Sequence, residues 1–137
     1  MIGPILRGLG ETFRQMFAPR VTILYPEVRR EVSERFRGRP RLALDSRGEP
    51  KCVACTLCQT VCPSRAIKIE PAEAPDHRKY PARFTLDLSR CIFCGFCQEA
   101  CPEGAIELTR LYELAEYERG RLIYDKERLK GWVSTWR

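Results

Sequence analysis

The sequence predicts a small α+β domain made of two copies of one unit related by an approximate two-fold. An amphipathic helix and an extended arm precede it, and a C-terminal extension follows. Three observations carry this expectation. Residues 52–67 and 91–106 match at all four of their cysteines and again at Gln59/Gln98, Pro63/Pro102, Ala66/Ala105 and Ile67/Ile106. Residues 66–70 (AIKIE) and 83–88 (RFTLDL) alternate apolar with polar side chains, as half-buried strands do. At the start of the chain, Ile2, Ile5, Leu6, Leu9, Phe13, Met16 and Phe17 recur at helical spacing.

Taken in order, residues 1–20 read as the helix. At about 100° per residue the seven apolar side chains fall within an arc of roughly 120°, opposite Arg7, Glu11 and Arg14. Pro4 suits a first helical turn and Pro19 lies beyond the last. Gly8 and Gly10 weaken the helix in isolation, which suggests that it forms against an external surface. Residues 21–47 alternate short apolar runs with arginine, broken by Gly38 and Pro40, and read as an extended arm lying against something else. Residues 48–110 hold both cysteine blocks and the two predicted strands; between these strands PAEAPDHRKYP, with three prolines, reads as a surface loop carrying a solvated His77. Residues 111–137 read as a helical extension, because LTRLYELAEYER at 108–119 is helix-prone and stops at Gly120.

The bulk composition limits what the chain does. At 137 residues, with 44% hydrophobic and 31% charged side chains, it is globular and large enough for one modest core. No apolar run nears the eighteen or so residues that cross a bilayer. Arg7, Glu11 and Arg14 interrupt the apolar stretch a secretory leader would need, so the expected address is the reducing cytoplasm. The formal charge of +6 is uneven: residues 1–47 contain ten arginines, no lysine and five acids. If all eight cysteines hold two iron clusters as thiolates, the total falls to about +2, which removes most of the electrostatic case for nucleic acid.

The eight cysteines occupy two blocks, CVACTLCQTVCP at 52–63 and CIFCGFCQEACP at 91–102. In a reducing compartment such clusters hold metal more often than they form disulfides. A cubane 4Fe-4S cluster offers four irons, each wanting one thiolate. A C-x2-C-x2-C loop wraps three corners, and in the C-x2-C-x2-C-x3-C-P run of two-cluster ferredoxins the fourth cysteine ligates the other cluster. The pattern therefore assigns Cys52, Cys55, Cys58 and Cys101 to a first cluster and Cys62, Cys91, Cys94 and Cys97 to a second. Pro63 and Pro102 stop each helix after its crossing cysteine. Zinc is the competing metal, but tetrahedral zinc sites use two separated C-x2-C pairs. Val53, Ile92, Phe93 and Phe96 would shield the clusters from water. Clusters with every corner taken leave one-electron transfer as the chemistry, and no phosphate loop, triad or carboxylate pair suggests any other.

The cysteine blocks suit many bacterial-type two-cluster ferredoxins, and the flanking text is narrower. Leu24-Tyr25-Pro26-Glu27, Phe36-Arg37-Gly38-Arg39, Gly48-Glu49-Pro50-Lys51-Cys52, the whole second block, and Tyr112-Glu113-Leu114 through Leu122 to Glu127 resemble subunit I of NADH:quinone oxidoreductase, respiratory complex I. The resemblance runs from about Leu24 to Leu129. It implies a ferredoxin-like fold with a pseudo-two-fold repeat. It also implies an electron relay between a cluster-bearing NADH-side subunit and a quinone-site cluster subunit, a membrane-subunit partner, and an N-terminal helix on the membrane surface. The expected location is then peripheral, on the cytoplasmic side of the cell membrane. Two alternatives share the cysteine blocks: the equivalent subunit of a membrane-bound hydrogenase or related dehydrogenase, and a free ferredoxin, which should be acidic and needs no basic arm.

Overall fold

A computed structural model describes residues 2–131, which form two units, residues 2–32 and residues 33–131. The last six residues of the predicted C-terminal extension lie outside the described residues.

The first unit is a helix and an irregular tail. Helix α1 (Gly3–Met16) begins with Pro4 in its first turn and ends where Phe17 donates its N–H to the Arg14 carbonyl at 3.2 Å. None of its residues is buried, and its apolar stripe is exposed from Ile2 to Phe17. Phe13 and Phe17, four apart and so on one face, meet edge to face at 5.3 Å. Among the described residues no helix is long and apolar enough to cross a membrane.

The second unit contains β1 (Pro40–Leu42), α2 (Leu57–Val61), β2 (Ile67–Glu73), β3 (Lys79–Asp87), α3 (Phe96–Glu99), β4 (Ile106–Leu108), β5 (Ile123–Tyr124) and α4 (Lys126–Lys130), with a 3₁₀ turn at Arg119–Leu122. Strands β2, β3 and β5 form one antiparallel sheet in that order, and β1 pairs antiparallel with β4. The alternation read from the sequence sets the register: Ile67 stands opposite Leu86 and Ile69 opposite Phe84, all four buried. Phe84 is 1% exposed, and truncating a side chain so enclosed typically costs about 3–5 kcal/mol. Leu42, Ile106, Tyr124 and Leu129 complete this core, and Cys52, Cys62, Cys91, Cys97 and Cys101 pack against it.

Three expectations need correction. The segment read as a surface loop is mostly hairpin: β2 runs on to Glu73 and β3 starts at Lys79, leaving a short turn around His77, which adopts a positive φ of 60°. The ladder shifts register between Glu70 and Pro71, and a bulge of this kind absorbs a proline. The arm drawn over 21–47 is no separate element either. Its Pro40–Leu42 forms β1, with Pro40↔Leu108, Arg41↔Glu107 and Leu42↔Ile106, so a boundary at 47 cuts a strand away from its domain. The helix expected at 108–119 is absent. Gly38 N–H donates to the Thr109 carbonyl and Arg39 N–H to the Leu111 carbonyl, both at 2.8 Å, and Thr109 N–H returns a bond to the Arg39 carbonyl. Those pairings hold the segment extended and override its helix propensity.

The Phe36-Arg37-Gly38-Arg39 stretch thus has a role at every position. Phe36 meets Tyr112 edge to face at 6.2 Å, Arg37 reaches the second cysteine loop, and Arg39 Nη2 donates to the Gly131 carbonyl at 3.0 Å. Gly38 is buried where a Cβ would stand 2.3 Å from the Leu111 carbonyl oxygen and 2.6 Å from that of Thr109. Gly38→Ala must push these backbones apart and is expected to cost about 2 kcal/mol or more. A lowered denaturant midpoint of the cluster-loaded chain checks this; a change within about 0.5 kcal/mol, the size of an ordinary surface substitution, would count against the close approach.

Candidate metal centres

Each cysteine block folds into a loop and then one short helix, and positions thirty-nine residues apart behave alike. Ala54 and Thr56 in the first loop have φ of 51° and 62°; Phe93 and Gly95, their counterparts, have 52° and 87°. These left-handed residues turn the chain so that successive cysteines face inward. Beyond the helices, Cys62 Sγ accepts the Ala66 N–H at 3.4 Å and Cys101 Sγ accepts the Ala105 N–H at 3.2 Å. Gln59 Oε1 accepts the Ile69 N–H and Gln98 Oε1 the Leu108 N–H, both at 2.7 Å. The two glutamines tie each helix to the strand that follows it. The sequence repeat pointed to them as a matched pair and gave no sign of this task.

All eight cysteines are free thiols. The loops and helices gather them around two cavities, and the grouping crosses between the blocks. The first cavity is lined by Cys52, Cys55, Cys58 and Cys101, with Leu42, Val53, Ile69, Phe84 and Ile106 among its apolar walls. The second is lined by Cys62, Cys91, Cys94 and Cys97, with Pro40, Ile67, Leu86, Phe93 and Leu108. Among the described residues no three histidine, cysteine or acidic side chains close on one point as a single metal ion requires. The sulfurs instead stand around a space.

The electrostatics follow the same grouping. Burial pushes the Cys58 thiol up to about 12, reinforced by Cys52, Cys101, Cys97 and Cys55. Burial likewise pushes Cys97 up to about 11, with Cys91, Cys94 and Cys62 adding to it. Cys52 and Cys91 are raised by burial, opposed by the N–H groups of Ala54 and Phe93 respectively. At Cys62 burial also pushes upward, but hydrogen bonds from the Ser64 hydroxyl and from backbone N–H groups outweigh it, and the thiol falls below its ordinary value. Helices α2 and α3, which carry Cys58 of the first cavity and Cys97 of the second, pack against each other. Buried thiols of this kind ionise when a positive centre compensates them, and a polynuclear iron core supplies that charge. Sulfur donors in an apolar wall therefore fit 4Fe-4S clusters.

Two polar contacts were not foreseen from sequence. Ser64 donates toward Cys62 across 3.5 Å. Arg37 donates through Nη1 to the Cys94 carbonyl and holds Glu99 Oε1 3.3 Å from Nη2. Nothing local in the sequence links residue 37 to residue 94; only Gly95, the small residue beneath the guanidinium, hints at it.

Comparison with known proteins bears on the same region. Residues 51–121 match the 4Fe-4S dicluster domain family. NADH-quinone oxidoreductase subunit I 2 of Geobacter metallireducens is 46% identical over 129 residues, covering 94% of this chain and 98% of the relative. NADH-quinone oxidoreductase subunit I of Acinetobacter baumannii is 51% identical over 130 residues, covering 93% of this chain and 72% of the relative. Among solved structures, a chain of the membrane-bound sulfane sulfur reductase, an archaeal respiratory membrane complex, is similar with a TM-score of 0.56 and 32% identity; the match covers 80% of this chain and 55% of that one. The chain belongs to the NADH-quinone oxidoreductase subunit I family and is an iron-sulfur electron-transfer component of that oxidoreductase.

Proposed function

We propose that the chain holds two 4Fe-4S clusters by crossed ligation, within a pseudo-two-fold ferredoxin-like domain, and relays single electrons through them towards the quinone-site cluster of its complex. Cys52, Cys55, Cys58 and Cys101 would hold the first cluster, and Cys62, Cys91, Cys94 and Cys97 the second. The observation that carries this is the crossed lining of the two cavities. A cluster of this type, with every iron bound to cysteine, exchanges one electron at a time and offers no site to substrate.

The chain's own residues give that chemistry its setting. Phe93 and the buried side chains of Ile69, Phe84 and Leu86 give the thiolates apolar walls, while Val53 and Cys55 remain exposed. Backbone N–H groups of Ala66 and Ala105 donate to the crossing sulfurs of Cys62 and Cys101, and at Cys62 this favours the charged form. Adjacent sites let an electron pass within the chain without a moving part. The partners in this reading are a cluster-bearing NADH-side subunit, the quinone-site cluster subunit and a membrane subunit, with the chain peripheral on the cytoplasmic face of the membrane. The lower identity to the sulfane sulfur reductase chain, 32% against 46% and 51%, supports an NADH:quinone complex over a related membrane-bound one.

The ligation is tested by swapping the crossing cysteines. The reconstituted chain should contain about eight irons with matching acid-labile sulfide. Cys101→Ala should alter the paramagnetic resonance signal of the Cys52, Cys55, Cys58 cluster and Cys62→Ala the other. Stoichiometric zinc without sulfide, or a Cys101→Ala variant that disturbs only the Cys91 loop, contradicts the assignment.

The exposed stripe of α1 supports docking on lipid headgroups and the membrane subunits, with Arg7 and Arg14 on the opposite side. Deleting residues 2–17, or replacing Leu9 and Phe13 by aspartate, should leave iron content unchanged and loosen the peripheral arm from membranes in a flotation assay. Loss of the clusters with normal membrane attachment would assign the stripe to the domain's own packing.

A further inference from the structure

Arg37 lies over the second cysteine loop. Its Nη1 donates to the Cys94 carbonyl, and its Nη2 stands 3.3 Å from Glu99 Oε1 on α3. Gly95 makes the approach possible: its φ is +87°, and a Cβ there would come within 3.0 Å of Arg37 Nε and 3.2 Å of Cζ. Gly95 thus meets two demands at once, a left-handed turn that side chains rarely adopt and the close arginine above it; Thr56 holds the corresponding left-handed position in the first loop at φ 62°. The wall of the second cavity carries no ionisable group besides its four cysteines.

We propose that Arg37 is a positioning residue that fixes the carbonyl of the Cys94 turn and, as a permanent cation, raises the reduction potential of the second cluster alone. This rests on the ligation of that cluster by Cys62, Cys91, Cys94 and Cys97 argued above. Accepting one electron makes a thiolate-ligated cluster one unit more negative, and a nearby positive charge favours that reduced form. Arginine keeps its charge at any working pH. The Arg37 side chain is 53% exposed, so solvent screens its field and the effect is modest. Glu99, paired with the same guanidinium, opposes it.

The experiment uses the full chain reconstituted with iron and sulfide. Iron is counted, and each cluster's midpoint is read by redox titration followed by paramagnetic resonance. Arg37→Gln keeps an amide donor for the Cys94 carbonyl and removes the charge. It should lower the second cluster's midpoint by a few-fold to about tenfold in the one-electron equilibrium, tenfold being about 59 mV, and leave the first cluster unmoved. Arg37→Lys should retain most of the wild-type value. Glu99→Gln should move the second midpoint upward. The proposal is overturned if Arg37→Gln and Arg37→Lys shift the potential equally, or if Arg37→Gln leaves it unchanged at normal iron content. Should Arg37→Gln lose the second cluster, Glu99→Gln decides: an unchanged or lowered midpoint overturns the proposal. A failure of the ligation reading shows separately, as a wild-type chain far short of about eight irons.

Discussion

Each cavity takes three sulfurs from one cysteine loop and the fourth from beyond the helix of the other block. That crossing is the constraint on which the second unit depends, because neither block completes a site alone. It also explains why three short helices, a three-stranded sheet and a two-stranded one hold a defined shape with a modest core. A cluster in each cavity would join the halves as metal joins other small folds, and its binding energy would become folding energy. The burial that raises Cys58 and Cys97 belongs to the same design: the apolar surroundings that disfavour bare thiolates are those that keep water from a cluster.

The chain around the cysteine blocks closes this core. Leu42 comes from before the first block, Tyr124 and Leu129 from after the second, and all three are buried with Phe84 and Leu86. Arg128 packs its guanidinium over the Tyr124 ring at 4.0 Å, and Asp125 caps α4 by accepting the Arg128 N–H. Two of the flanking stretches that resemble subunit I, residues 36–39 and 122–127, fall within the segments that complete the domain. Phe36, Arg37, Gly38 and Arg39 each meet a different part of the second half.

Both central strands were legible in the sequence, because two-residue alternation is a local signal. The pairing of Ile69 with Phe84 and of Ile67 with Leu86 follows from them. What was not legible depends on partners far along the chain. Pro71 and Pro81 look like loop residues, yet they stand opposite each other where the ladder shifts register, in the part of the hairpin beyond the reach of β5. Residues 108–119 have a helical composition, but Thr109 and Leu111 spend backbone hydrogen bonds on residues 38 and 39. The arm was read as lying on another surface; for Pro40–Leu42 that surface is β4 of its own domain. Matched Gln59 and Gln98 were visible as a repeat, and their bonds to the strand N–H groups required the fold.

The dependence of the fold on its metal sites is tested most directly by hydrogen exchange on the intact chain before and after a chelator removes its iron. The account predicts that amides of the β2–β3 hairpin and of the β1–β4 pair lose protection together, in step with the loss of cluster absorbance. An iron-free chain that keeps full protection in both sheets would show that the apolar core suffices and that the crossed sites do not hold the halves together.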